Sequence, residues 1–72
     1  MTKTTDDLCS IMRVGGSVKV PGTLKINDLC DIAHAGANYR SQLIVSGANS
    51  MKTEDICKIA RANPGNVLFE LD

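Results

Sequence analysis

Three times in 72 residues the chain writes the same phrase: Asp, aliphatic, Cys, any residue, Ile. It reads Asp7-Leu8-Cys9-Ser10-Ile11, then Asp28-Leu29-Cys30-Asp31-Ile32, then Asp55-Ile56-Cys57-Lys58-Ile59. A basic residue follows each at the same offset (Arg13, His34, Arg61), and then come a Gly-containing break and a short apolar run. Such self-similarity means that each unit is one supersecondary element that buries its apolar face against its neighbours. The units span residues 4–23, 24–50 and 51–72 of a single domain.

Each unit reads as a helix followed by a strand. In the first, Thr4-Thr5-Asp6-Asp7 suits a helix start, because Thr caps and acids favour the positive end. Leu8, Ile11 and Met12 recur at helical spacing, Gly15-Gly16 stops the helix, and Val18-Lys19-Val20 alternates like a strand ended by Pro21-Gly22. In the second, Asn27 or a neighbour caps, Leu29, Ile32 and Ala33 face inward, and Gly36-Ala37-Asn38 precedes the strand Leu43-Ile44-Val45. This unit is longer than the others, and the extra residues fall around Asn38-Tyr39-Arg40-Ser41. In the third, Thr53 caps, Ile56, Ile59 and Ala60 face inward, Asn63-Pro64-Gly65 stops the helix, and Val67 to Leu71 is the strand.

Regular alternation of helix and strand predicts an α/β fold with a small three-stranded parallel sheet. Crossovers are right-handed in nearly all cases, so stacking the units in order puts the helices on one face. A strand order of 2-1-3 would instead cover both faces. With the units in order, Val18, Val20, Leu43, Val45, Val67, Phe69 and Leu71 face the helices, and Lys19, Ile44, Leu68 and Glu70 lie opposite. Parallel sheets normally have both faces covered, and both edge strands end in open backbone groups, so the fold points to self-association as a homodimer that covers the face carrying Ile44 and Leu68 or joins an edge.

The stretch Leu43-Ile44-Val45-Ser46-Gly47-Ala48-Asn49-Ser50-Met51, continuing through Thr53 to Ala60, resembles a leucine-rich repeat of the strand-plus-helix kind. Asn49 and Met51 each sit one place later than in that family's pattern, and the first unit has no Asn at the corresponding point. The resemblance implies a stacked interaction scaffold.

Eight acidic residues balance eight basic ones, which leaves neither nucleic acid nor an anionic membrane an electrostatic footprint. No apolar run approaches the roughly 20 residues of a membrane span, and three cysteines are an odd number for a disulfide framework. A cytoplasmic protein with reduced thiols is the expectation.

No residue set predicts catalysis, a cofactor or a metal site. Cys9, Cys30 and Cys57 fall at equivalent points of successive helices, whose axes pack about 8–10 Å apart, too far for shared coordination; they read as core filler. The acidic column (Asp7, Asp28, Asp55) and the basic column (Arg13, His34, Arg61) sit at opposite helix ends, as the helix dipole favours. His34 has only Asp31 beside it, and that pair reads as an exposed helix contact. The expected function is a non-enzymatic interaction module that binds itself and can hold another protein, with Lys19, Ile44 and Leu68 as contacts. Tyr39 and Arg40, in the one place the repeat is broken, are either further contacts or a local lid over the helix end. The alternative is a small-ligand or phosphate-binding protein that uses the strand-to-helix loop, with Gly47, Asn49 and Ser50 offering backbone N–H groups and small polar side chains.

Overall fold

A computed structural model, which describes residues 3–71, places α1 at Thr5–Arg13, β1 at Val18–Pro21, α2 at Ile26–Ala35, β2 at Leu43–Ser46, α3 at Thr53–Ala62 and β3 at Val67–Phe69. Asp72, the last residue of the third unit, lies outside the described residues. The strands form one parallel sheet in the order β1-β2-β3, with Val18, Leu43 and Val67 in register. That order settles the sequence ambiguity in favour of units stacked in order, with all helices on one sheet face. α2 packs between α1 and α3.

The core lies between the two layers. Met12, Leu29, Ile32 and Ile59 descend from the helices onto Val20, Leu43 and Val45 of the sheet, and all are fully buried. Val18, Val67 and Phe69, on the two edge strands, are only half-buried, whereas Val20 of β1 is fully covered. Leu71 departs from expectation: it lies beyond β3 and is exposed. Gly47, at φ 64, turns the chain away after Ser46, so β2 offers Leu71 no partner.

α1 starts as the sequence implies. The Asp7 N–H donates to Thr4 Oγ1 at 3.2 Å, and the Thr4 N–H donates to Asp7 Oδ2 at 3.1 Å, closing a capping box. The other two caps differ from expectation. α2 is capped by Lys25 and α3 by Lys52, neither through its side chain; Asn27 and Thr53 lie within the helices. In both cases an apolar residue just before the cap, Leu24 or Met51, packs against the core and sets where the chain turns. The Lys25 and Lys52 carbonyls then accept the first helical N–H groups.

The inserted residues of the second unit form a turn that wraps Gly36, whose carbonyl accepts the N–H groups of Tyr39 and Ser41. Arg40 takes the left-handed φ of 56 and drops Ser41 into the core. There Ser41 Oγ donates to the Met12 carbonyl at 2.6 Å, and the Ser41 carbonyl accepts from Asn63 Nδ2 at 3.0 Å. Asn66 Nδ2 donates in turn to Asn63 Oδ1 at 3.3 Å. A buried polar relay therefore runs across all three units at the C-terminal ends of the helices.

Candidate functional site

Strand alternation fixes what the uncovered face of the sheet presents. Lys19, Ile44 and Leu68 stand in one row across β1, β2 and β3, because they are register partners. Leu68 is 57 % exposed, and Ile44 is half-buried between its neighbours. Two residues beyond Leu68, Glu70 returns to the same face, and its Oε1 lies 3.2 Å from Lys19 Nζ. β1 and β3 are not neighbours, so this ion pair runs diagonally across β2. At such exposure it is worth about 0–1 kcal/mol. Its geometric effect is to draw two charges together and leave Ile44 and Leu68 as the apolar centre of the face. The sequence identifies all four residues as face members; the pairing of Lys19 with Glu70 depends on strand order and was not legible.

A concavity of about 450 Å³ lies on the helix side, between α1 and α2. Its walls bring together Asp6, Cys9 and Arg13 from α1, Asp31 and His34 from α2, and Tyr39 from the insertion. Each helix contributes one acidic and one basic residue, so the groove has no single sign of charge. Burial pushes the Cys9 thiol above its ordinary value, with nearby Asp31, Asp6 and Asp28 acting in the same sense against Arg13. A thiol shifted that way is a weak nucleophile near neutrality. Tyr39, 53 % exposed, stands at the mouth of the groove, and Arg40 points into solvent.

The loop after β2 spends much of its hydrogen-bonding capacity internally. The Ala48 N–H donates to the Glu70 carbonyl, the Met51 N–H to the Ala48 carbonyl, and Ser50 Oγ to the Gly47 carbonyl. Gly47, Asn49 and Ser50 are exposed around it.

The cysteine column does not behave uniformly. Cys9 is buried and Cys30 half-buried, both as core residues, whereas Cys57 is exposed; the core-filler reading fails there because no described helix lies beyond α3. Burial also raises the Cys30 thiol, partly offset by Lys58. Among the described residues no group of three or more His, Cys, Asp or Glu side chains converges as a metal site would require. Nor is any described helix long and apolar enough to cross a membrane. The acidic and basic columns sit in the first and last helical turns.

Sequence reasoning missed Ser41 and Asn63, the buried polar residues among the described residues. Both lie in segments that read as loop, and the available signal, for Ser41, was the insertion, which had to place some residue against the core; for Asn63 there was none. No protein-family model, curated protein or solved structure matches this chain.

Proposed function

We propose that this protein is a non-enzymatic interaction module that associates with itself through the open face of its sheet and can offer that surface to another protein. The observation that supports this reading is the one-sided covering of a parallel sheet, with Leu68 exposed beside Ile44 at the centre of the bare side. Such sheets normally carry a layer on each face. A second copy supplies the missing layer, with Lys19 a further contact on the same face and Tyr39 and Arg40 as secondary contacts outside it. Three free thiols suit a reducing compartment, and we place the protein in the cytoplasm.

The test is solution mass by light scattering across a concentration range, for wild type and for Leu68→Asp alone and combined with Ile44→Asp. Wild type is expected to dimerise or assemble further, and Leu68→Asp to weaken association at least tenfold with its circular dichroism unchanged. Retention of wild-type association by both variants counts against the face.

The groove between α1 and α2 favours a second reading, a small-ligand protein, through its concavity and its facing charges rather than through loop 46–50. A thermal-shift screen with nucleotides and phosphorylated metabolites separates the two. A rise in melting temperature that Arg13→Ala abolishes would select the ligand reading.

A further inference from the structure

Every helix of a stacked repeat has a flank facing the preceding unit and a flank facing the next. The internal interfaces identify which residues serve each role. Cys9 of α1 shares the groove with Asp31 and Ala35 of α2, so the Cys position faces forward and the positions of Asp31 and Ala35 face back, whereas the long side chains of the Arg13 and His34 column reach it from both helices. The same holds one unit later, where Cys30 feels Lys58 and Asp55 on α3 as well as Asp31 on its own helix.

Exposure along each column follows this assignment. Ile32 and Ile59, on the backward side, are fully buried, whereas their counterpart Ile11 is 36 % exposed. Val14, counterpart of the half-buried Ala35 and Ala62, is 84 % exposed. On the forward side the trend reverses. Cys9 is buried and Cys57 exposed; Leu8 and Leu29 are buried and Ile56 only half so; Met12 and Ala33 are buried and Ala60 only half so. Terminal units of stacked repeats are ordinarily capped by a polar outer face. Here the flanks of α1 and α3 carry the same apolar positions that build the internal interfaces.

We propose that copies of this chain stack head to tail, with α3 and β3 of one copy against α1 and β1 of the next, continuing both the sheet and the helix layer. The occupant is a second copy because the two flanks are the two halves of an interface the chain already makes twice. The inference shares self-association with the function proposed above but uses a different surface.

The backbone is in phase for the join. Val18 donates its N–H to the Gln42 carbonyl and Gly22 to that of Ser46, so the groups of Lys19 point to the free edge of β1. Leu43 donates to the Asn66 carbonyl and Glu70 to that of Val45, so the groups of Val67 and Phe69 point to the free edge of β3. Repeating the register step that relates Val18, Leu43 and Val67 sets Val67 opposite Val18 of the next copy. The Val67 N–H then meets the Ser17 carbonyl, and the Lys19 N–H meets the Val67 carbonyl. The Phe69 N–H meets the Lys19 carbonyl. Pro21 has no N–H to give, which trims one bond from the ladder and leaves the others. Such a contact is heterologous, so it yields a ring or an open filament rather than a closed dimer.

The test blocks one end at a time with Val14→Glu or Cys57→Glu, both at exposed positions, and follows mass by light scattering. Wild type is expected to grow past a dimer with concentration, and each variant alone to remain a monomer. An equimolar mixture is expected to double in mass and stop, because one intact flank of each kind remains. Wild-type monomer throughout, or variants that assemble as wild type does, overturns the proposal. Assembly abolished by Leu68→Asp but untouched by the end variants overturns it while sustaining the open-face reading; the opposite pattern does the reverse. If an end variant unfolds, Ser10→Cys decides. Ser10 is the counterpart of Asp31, so a short bismaleimide should join it to Cys57 of another copy in a ladder of multimers. Monomer alone would overturn head-to-tail stacking.

Discussion

Asp7 illustrates how a single exposed side chain can tie stability to pH. Its carboxylate accepts the Thr4 N–H, and that hydrogen bond, helped by the Thr4 side chain, holds its pKa below the ordinary 3.8. A carboxylate whose folded pKa is depressed stabilises the fold above its unfolded value, and the contribution disappears as pH falls through the folded value. Wild type should therefore lose stability below about pH 4, from this group among others. Asp7→Asn should flatten that acid limb while lowering stability near neutrality. Urea unfolding of both proteins from pH 2 to 7 checks the difference, and parallel curves would show that the ionisation of Asp7 contributes nothing.

Among the elements, the end of α2 is specified by packing. Gly36 caps it at φ −92, an angle open to any residue, so glycine is required there for space rather than for backbone freedom. An added Cβ would lie 2.7 Å from Met12 Cε and 2.8 Å from Ser41 Cβ. Met12 can swing its methyl aside, but Ser41 is held by its hydrogen bonds. Gly36→Ala should cost about 1–3 kcal/mol, as overpacking of a filled core does, and a drop in the urea midpoint at unchanged slope would register it. The sequence makes the six main elements legible, because Gly, Pro and apolar spacing punctuate every unit. Two caps were misplaced because Leu24 and Met51, whose anchoring is tertiary, decide where α2 and α3 begin. The open face was legible from the alternation of Lys19, Ile44 and Leu68. The differing exposure of Ile11, Ile32 and Ile59 was not, since identical local sequence says nothing about which helix has a neighbour.

At the scale of the whole molecule, a chain of 72 residues buries only about 60 % of its unfolded surface, which leaves little margin for a unit that folds alone. Stacked repeats often behave as nearest-neighbour arrays that fray from an end. The relay from Met12 through Ser41 to Asn63 argues for different behaviour here. Losing the third unit would strip the Ser41 carbonyl of its buried donor, and disturbing Ser41 would take from the Met12 carbonyl in the first its buried side-chain donor, leaving it the Gly15 N–H. Each local opening thus carries a desolvation penalty in the next unit. Amide protons of Ile11, Ile32 and Ile59 should consequently exchange with a common free energy, as one foldon, rather than in a graded series. With Asn63→Ala the third should exchange ahead of the others. Three copies of one phrase, each too small to persist by itself, would then share a single opening event.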